Sequence, residues 1–286
     1  MRITTALSEE RNGALKIGEL PVLHMVALDD VVLHEDPDAE RVGRLLDRIV
    51  SDGVLRHPPV VGRLDGHRRI VLDGANRVTA LRKLDCRHAL VQEIDLFDPD
   101  LVLDSWHHAI EHLTPEALLA HARSVPEVIL EEGDQPADNG LASLVRFRFI
   151  DGIWEARSAS DNLTARVRQL RDLTRVHHGL ENFDRVSYTD MAQLQRHYRH
   201  FTALMSFPLF TREDLVELTG REQRLPSGIT RVLIPKRALR FNLQLQVLQA
   251  SISVEEKEAR LQQTIQQKVA DKSIRFYREP TFCFDE

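Results

Sequence analysis

Cysteine, tryptophan and long apolar runs are all scarce in this sequence of 286 residues. Its two cysteines, Cys86 and Cys283, cannot build a disulfide framework or a four-cysteine zinc site, which is typical of proteins of the reducing cytoplasm. No apolar run is long enough to cross a bilayer, and residues 1–11 lack the apolar stretch of a secretory signal. We therefore expect a cytoplasmic protein without membrane contact.

The sequence also lacks the common phosphate-binding motifs. It contains neither a Walker A pattern nor Gly-x-Gly-x-x-Gly, which argues against a P-loop or a Rossmann dinucleotide site. The formal net charge of -6 gives no overall attraction for nucleic acid, so any affinity for phosphate must be local.

Histidine, by contrast, is abundant, with 13 residues. The spacings of His108 with His112 and of His197 with His200 could each place two ligands together on a helix. Neither pair has a third ligand at a recognised spacing, so we expect no metal site. The sequence leaves open whether one of these histidines binds haem.

The composition, with 42% hydrophobic and 29% charged residues, is typical of a globular chain, and its length suits one large or two ordinary domains. Asp38 is expected to cap a helix that ends at Gly53, and Asp65-Gly66 to form the two-residue turn of a hairpin. The predicted order is strand, helix, hairpin, helix and strand, at residues 20–33, 38–53, 59–72, 78–84 and 89–94. This order predicts an α+β fold.

The second half mixes short strands, helices and turns. Thr114 and Pro115 form a good helix start, with threonine as the cap and proline at the first helical position. Further elements are predicted at residues 101–110 (strand), 144–156 (hairpin), 163–170 (helix), 254–272 (polar helix) and 275–284 (strand). The polar helix has a thin apolar stripe, which favours docking on the same chain over a contact in a homodimer.

The turn Asp73-Gly74-Ala75-Asn76-Arg77 carries the strongest chemical signal. It leads from a strand into a helix, whose first N–H groups have no partner within the helix and attract anions. The small residues let a phosphate approach, Arg77 adds a planar donor and Asn76 adds an amide. The alternative is an ordinary strand-to-helix turn that Asp73 caps.

Three segments, at residues 33–35, 52–60 and 71–77, together resemble the nucleotide-binding core of the ParB/sulfiredoxin superfamily in order and spacing. Within that superfamily, the chain resembles the free L-serine kinases, including their siderophore-cluster branch. The residues that carry this second resemblance are Glu35, Asp104-Ser105-Trp106-His107-His108 and residues 225–231. The kinases often have His-His or Thr-His where this chain has Ala75-Asn76.

The resemblance implies a ParB/sulfiredoxin-like nucleotide-binding domain at residues 21–110 and a second α+β domain, for the substrate, at residues 111–250. A flexible lead-in at residues 1–20 and a tail of helix and strand at residues 251–286 complete the expected organisation.

The resemblance also implies the chemistry. The enzyme would transfer the terminal phosphate of ATP, or of ADP, to free L-serine and form O-phospho-L-serine, for siderophore or diaminopropionate biosynthesis. Glu35 would accept the hydroxyl proton, a role worth about 10²–10⁴ in rate. The residues alone favour a surface carboxylate at this position.

Residues 73–77 would bind the nucleotide. Asp73 would also help to hold Mg²⁺ or orient the substrate, with most of the ion's ligands coming from phosphates and water.

Four residues are expected to hold serine, namely Trp106, His107, Thr230 and Arg231. An arginine suits a carboxylate, and a hydroxyl can add a hydrogen bond. Trp106 could instead be a core residue. In a regular strand Trp106 and His107 point to opposite faces, so at most one would line the pocket unless the strand ends or bulges there.

Two other functions compete with the kinase. The arginines from Arg166 to Arg175 could form the basic helix of a ParB-like regulator that binds nucleotide and DNA, but the chain is acidic and no helix-turn-helix pattern is evident. A sulfiredoxin-like repair enzyme needs a reactive thiol near the phosphate loop, whereas Cys86 is expected at the far end of the following helix. The serine kinase is the preferred hypothesis.

Overall fold

The computed structural model describes residues 20–133, 141–177, 183–234 and 236–277. Of the expected lead-in, only Leu20 falls within these ranges. None of the helices in the described ranges is long and apolar enough to span a bilayer. Helices and strands alternate irregularly and most strand pairs are antiparallel, which confirms the α+β class predicted from the sequence.

The first sheet contains five strands, Leu23–Ala27 (β1), Val31–Leu33 (β2), Val60–Arg63 (β4), Arg69–Asp73 (β5) and His88–Ile94 (β6). Their order is β1-β6-β4-β5-β2, and a 3-10 turn at Leu28–Asp30 separates β1 from β2. β2 runs parallel to β5, with Leu33 paired to Val71. The two strands therefore end at the same edge of the sheet, which brings Glu35 close to the turn after Asp73.

The second sheet contains six strands, His107–Glu111 (β8), Val128–Glu132 (β9), Ala142–Arg148 (β10), Ile153–Ser158 (β11), Phe183–Val186 (β12) and Phe201–Ser206 (β13). All its pairs are antiparallel, in the order β12-β8-β13-β10-β11-β9. Two small pairs join Val54–Leu55 (β3) to Leu243–Gln244 (β15), and Val102–Ser105 (β7) to Thr230–Leu233 (β14).

The helices of the described chain are Ala39–Asp52 (α1), Ala75–Lys83 (α2), Pro115–Ser124 (α3), Leu163–Thr174 (α4), Met191–His197 (α5), Arg212–Gly220 (α6), Leu245–Gln249 (α7) and Val254–Ala270 (α8). Asp38 caps α1 by accepting a hydrogen bond from Arg41 N–H at 3.0 Å, and Gly53 ends it with a φ of 66°. Thr114 caps α3 in the same way. The sequence predicted all three of these helix ends.

Strand β5 separates two hydrophobic cores. Val71 faces a core that also contains apolar residues of α1, α2, α7 and α8. Its neighbours Ile70 and Leu72 face a second core, which is built from the second sheet with α3, α4 and α6. Because alternate residues of a strand point to opposite faces, β5 is buried on both sides, and its end is held firmly where the site forms.

Two sequence predictions of strand geometry are wrong. The single strand expected at residues 101–110 is broken at Trp106, because β7 pairs with β14 while β8 joins the second sheet. The turn between β4 and β5 is not a two-residue turn at Asp65-Gly66 but a longer loop over residues 64–68. It is closed by the Leu64 N–H donating to the Arg68 carbonyl at 3.0 Å, while the Asp65 carboxylate accepts from the Arg68 N–H.

The C-terminal segment returns to the first sheet. Helix α8 packs its apolar stripe, including Leu261 and Ile265, into the first core, as expected of a helix that docks on its own chain. Lys257 is fully buried and donates to the Leu248 carbonyl at 2.6 Å. The first core thus combines residues 23–91 with residues 241–265, across the predicted domain boundaries at 110 and 250. The strand predicted at residues 275–284 is absent from Arg275 to Tyr277, and its remaining residues lie outside the described chain.

Leu261→Ala tests whether α8 is part of the fold. Leu261 is 1% exposed, so truncation should lower the free energy of unfolding by about 2–5 kcal/mol, the usual cost of this change in a core. Denaturant unfolding provides the measurement, and Gln263→Ala on the exposed side of the same helix is the matched control. Equal stability of the two variants would mean that packing of α8 does not contribute to the stability of the fold.

Candidate functional site

A cleft with a volume of about 300 Å³ opens at the edge of the first sheet where β2 and β5 end. Helix α1 and β3 form one wall, residues 71–77 form the floor, and Trp106, Arg185 and residues of the 227–230 segment form the opposite wall. Both Glu35 and Gly74 line this cavity. The structure therefore brings the predicted proton acceptor and the predicted phosphate site together.

Helix α2 begins in the cleft without a side-chain cap. Gly74 occupies the N-cap position with φ 98° and ψ 29°. A Cβ at this position would be strained and would lie 3.0 Å from the Arg77 guanidinium, so the position requires glycine. Because no side chain caps the first turn, its N–H groups and their partial positive charge remain available to an anion.

Asp73, at the end of β5, is held by two arginines. Its Oδ2 accepts a hydrogen bond from Arg77 Nη2 at 2.6 Å and a second one from Arg237. Burial raises the pKa of this carboxyl, but the charges and hydrogen bonds of Arg77 and Arg237 outweigh burial and hold the pKa below its usual value. Asp73 is therefore ionised at neutral pH, with one oxygen already engaged.

The side chains of Arg77 and Asn76 brace the start of α2. Arg77 Nη1 donates to the carbonyl oxygens of His57 and Pro58, both at 3.1 Å. Asn76 Oδ1 accepts a hydrogen bond from the Asp38 N–H at 2.9 Å, which links α2 to the cap of α1. Both side chains line the cleft, where the sequence predicted phosphate contacts, but both also bind protein groups. Backbone N–H groups are thus the more available donors at this helix start.

Glu35 is anchored by the backbone of the 228–230 segment. Its Oε2 accepts from the Gly228 N–H at 3.0 Å, and its Oε1 accepts from the Ile229 N–H at 3.1 Å and from the Thr230 N–H. The Thr230 hydroxyl also donates to Oε1, at 2.6 Å. Oε1 therefore carries three of these four bonds, which leaves Oε2 as the oxygen with capacity for a further donor.

The Thr230 hydroxyl also contacts His34, which is 4% exposed. His34 Nε2 lies 2.7 Å from Thr230 Oγ1, and His34 Nδ1 lies 2.5 Å from the Val71 carbonyl oxygen. A carbonyl oxygen only accepts, so Nδ1 must carry a hydrogen. The chain from Val71 through His34 and Thr230 to Glu35 ties the carboxylate to β5. Contact with serine, predicted for Thr230, is compatible with its place in the cleft, although its hydroxyl already holds Glu35.

A buried histidine pair holds the same segment from the other side. His108 Nε2 donates to the Gly228 carbonyl at 2.9 Å, and His108 Nδ1 lies 2.8 Å from His177 Nε2. Both rings are fully buried. The peptide of Gly228 is therefore fixed through its carbonyl, while the N–H of the same residue holds Glu35.

The break between β7 and β8 directs Trp106 into the cleft, while its neighbour His107 is not among the cleft residues. Burial lowers the pKa of His107; Asp104 opposes this effect, and Arg148 and Arg231 add to it. Arg231 also lies outside the cleft lining. Its guanidinium stacks 4.9 Å from the centre of the Trp106 ring and pairs with Asp104 at 3.3 Å. Serine binding by His107 and Arg231 stays a prediction, and Arg231 would have to leave Asp104 to reach the cleft.

Neither the four histidines with ligand-like spacing nor Cys86 lines the cleft. Across the part of the chain that is described, no group of three His, Cys, Asp or Glu side chains is placed to hold a metal ion. His108 lies in strand β8 rather than on a helix, and α5 ends at His197. Cys86 does not line the cleft; burial raises the pKa of its thiol, Lys257 opposes this effect and Asp85 adds to it.

Helix α4 carries the arginines that suggested DNA binding. Arg171 Nη2 pairs with Asp36 at 3.1 Å and also donates to the Arg224 carbonyl, while Arg175 pairs with Asp172 at 2.9 Å. These two guanidinium groups are thus engaged with the protein itself. DNA binding stays a less favoured prediction.

Sequence reasoning missed two arginines of the site. Arg185 lines the cleft from β12, and Arg237 binds Asp73 from the segment after β14. Neither belongs to a local motif, and each reaches the site only through long-range folding. His34 lies in the motif segment 33–35, and its polar side chain directly after a buried strand was a usable signal of a site residue.

Gly228→Ala tests how the Glu35 anchor depends on glycine. Gly228 has a φ of 75°, and a Cβ there would lie 2.0–2.3 Å from atoms of the Arg185 guanidinium. We expect a loss of at least about 1–2 kcal/mol of unfolding free energy from the left-handed backbone alone. Gly220→Ala, where a Cβ meets nothing within 4 Å, is the control for denaturant unfolding. A Gly228→Ala variant as stable as the control would contradict this geometry.

Comparisons with known proteins agree with the motif resemblance. No family model matches the sequence. The chain is 23% identical over 277 residues to the ATP-dependent L-serine kinase SbnI of Staphylococcus aureus (strain NCTC 8325 / PS 47), covering 92% of this chain and 97% of the relative.

Two solved structures share the fold. A C-terminally truncated SbnI from Staphylococcus aureus superposes with a TM-score of 0.69 and 22% identity, over 88% of this chain and 97% of that chain. A free serine kinase in complex with AMP gives a TM-score of 0.66 and 16% identity, over 80% of this chain and 94% of that chain. Over most of its length the chain is thus similar to L-serine kinases, which confirms the resemblance predicted from the motifs.

Proposed function

We propose that this protein is a kinase that transfers the terminal phosphate of ATP to the hydroxyl of free L-serine and releases ADP and O-phospho-L-serine. The observation that carries the proposal is the shared cleft of Glu35 and the N-terminus of α2. A phosphate at the helix start and a hydroxyl at Glu35 would meet inside one cavity. The similarity to ATP-dependent L-serine kinases supports the same activity.

The nucleotide has a matching surface on the opposite wall of the cleft. Leu45 and Ile49 of α1 and Leu55 of β3 form an apolar wall suited to a planar base. The uncapped first turn of α2 suits the phosphates, since N–H groups and the helix dipole favour anions. We therefore place the base against α1 and the phosphates at residues 74–77.

Glu35 acts as the general base in this proposal. Phosphoryl transfer requires alignment of donor and acceptor and neutralisation of spreading charge. The serine oxygen attacks the terminal phosphorus, the bond from phosphorus to the bridging oxygen of ADP breaks, and the hydroxyl proton passes to Glu35 Oε2. The four hydrogen bonds from residues 228–230 keep this carboxylate in place, so that little reorganisation accompanies the proton transfer.

Trp106 and Thr230 form the serine side of the cleft in this proposal. Trp106 supplies a wall, which Arg231 stabilises by stacking on its ring. Thr230 contributes by holding Glu35. We therefore propose that the main role of Arg231 is to position Trp106.

The cleft residues fit a magnesium ion that the nucleotide phosphates carry. Mg²⁺ is usually bound through one or two carboxylates together with phosphates and water. Asp73 is ionised and keeps its Oδ1 for such a role, since the two arginines contact Oδ2. When bound, the ion neutralises phosphate charge. Arg77 and Arg237 hold Asp73 in position for this task.

We further propose that the first sheet with α1 and α2 is a ParB/sulfiredoxin-like nucleotide-binding unit. The segments at residues 33–35, 52–60 and 71–77, whose order suggested this superfamily, line or border one cleft. On the motif resemblance alone, we place the product in siderophore or diaminopropionate biosynthesis.

Glu35→Gln tests the base. Phosphorus NMR of protein mixed with L-serine, Mg²⁺ and ATP should show O-phospho-L-serine for the parent protein. The variant should be slower by about 10²–10⁴-fold, because it lacks a proton acceptor. Glu40→Gln, an exposed carboxylate of α1, is the matched control. Retained binding of ADP would show that the cleft is intact. A Glu35→Gln rate near that of the parent would exclude Glu35 as the base.

Gly74→Ala tests the phosphate site. The strained φ and the contact with Arg77 should displace the first turn of α2, and we expect the Kd for ADP to rise about tenfold, equivalent to about 1.4 kcal/mol. Calorimetry measures the Kd. Gly66→Ala, in the loop before β5 with nothing within 4 Å, should bind ADP normally. Unchanged binding by Gly74→Ala would place the phosphates elsewhere.

A further inference from the structure

Arg185 is a cation of the cleft that no motif identified. It projects from strand β12, and its Nη2 donates to the Ser227 hydroxyl at 3.1 Å. Its Nε is buried and has no hydrogen-bond partner. Arg185 also makes no ion pair with any carboxylate of the described residues, so part of its hydrogen-bonding capacity is unused.

The surroundings of Arg185 favour an incoming anion. Burial lowers the pKa of this guanidinium and Arg41 lowers it further, while Glu35 and Asp38 partly compensate. A half-buried cation beside a second cation is costly, and an anion placed between them would relieve that cost.

Other arginines of the cleft are less available. Arg41 lies 3.8 Å from Asp38, Arg56 pairs with Asp52 at 2.9 Å, and Arg77 pairs with Asp73 at 2.6 Å. Arg48 is exposed on α1, the helix of the opposite wall. Arg185 is thus the cation best placed to serve a ligand at the Glu35 side of the cavity.

Arg185 and Glu35 both contact one residue, Gly228. The Arg185 guanidinium packs directly on Gly228, where a Cβ would meet its atoms at 2.0–2.3 Å, and the N–H of Gly228 binds Glu35. Glu35 and Arg185 therefore contact the same residue. In serine, the hydroxyl oxygen and the carboxylate carbon are separated by only two carbon atoms. A serine whose hydroxyl reaches Glu35 can thus direct its carboxylate to Arg185, while the nucleotide phosphates occupy the start of α2.

We propose that Arg185 binds the α-carboxylate of serine and makes the site selective for the free amino acid. This inference rests on the proposed serine kinase function. A guanidinium suits a carboxylate because it can donate two parallel hydrogen bonds. The same contact fixes the orientation of the hydroxyl toward Glu35.

The test compares L-serine with L-serinamide, which has a neutral amide in place of the carboxylate. We expect Arg185→Gln to lower kcat/KM for L-serine by roughly 10- to 150-fold, the range for a lost hydrogen bond to a charged group. The kcat/KM for L-serinamide and the KM for ATP should change by less than about 3-fold, since neither substrate has the α-carboxylate that Arg185 would bind. Arg185→Lys keeps the charge but loses the two parallel donors of the guanidinium, so its kcat/KM for L-serine should lie between those of the parent protein and Arg185→Gln. Arg175→Gln, which removes an exposed arginine at the C-cap of α4, is the charge control.

The outcomes separate this proposal from its alternatives. An unchanged preference for L-serine over L-serinamide in Arg185→Gln overturns it, and a raised KM for ATP would assign Arg185 to the phosphates. Loss of the preference in Arg231→Gln, rather than in Arg185→Gln, would assign the carboxylate to Arg231. If the parent protein makes no phosphoserine, the kinase function fails. In that case, calorimetry of L-serine binding tests the Arg185 contact separately. The contact predicts that the affinity for L-serine falls in Arg185→Gln and stays unchanged in Arg175→Gln.

Discussion

The hydrogen bonds between the Glu35 carboxylate and the backbone of residues 228–230 are the interaction on which the site depends. They join the end of β2 to a segment almost two hundred residues later, and Leu225 pairs with the backbone on either side of Glu35. His108 fixes the same segment through the Gly228 carbonyl, and Arg185 packs on Gly228. One carboxylate thereby organises the wall of the cleft as well as supplying its proposed base.

The parallel pairing of β2 with β5 provides the other constraint. Because both strands end at one edge, Glu35 and the start of α2 share a cleft. Burial of β5 between two cores fixes its end, and Arg77 and Arg237 hold the ionised Asp73 there. The proposed phosphate site thus consists of backbone N–H groups at the start of α2, and the charged side chains around Asp73 hold that backbone in place. Backbone donors at a helix start explain how a chain without a P-loop can still offer a phosphate site.

The parts that local sequence predicted well are those governed by local physics. The Asp38 cap, the Gly53 end and the Thr114 cap depend on neighbouring residues and were confirmed. The break at Trp106 depends on distant strands, since β7 pairs with β14 while β8 pairs with β12 and β13. The docking of α8 was expected from its apolar stripe, but the core that receives it forms only through long-range folding. Arg185 was invisible for the same reason, since only the antiparallel pairing of β12 with β8 carries it to the cleft. Arg77 was recognised as a site residue, but its bonds to the His57 and Pro58 carbonyls join two separate motif segments, and local sequence does not reveal such a contact.

The most direct test of the central claim is a crystal structure of the protein with a non-hydrolysable ATP analogue and L-serine. The account predicts that the terminal phosphate contacts the N–H groups at the start of α2. It also predicts that the serine hydroxyl oxygen lies within hydrogen-bond distance of Glu35 Oε2 and faces that phosphate. A nucleotide bound away from residues 74–77, or a serine whose hydroxyl points away from Glu35, would contradict it.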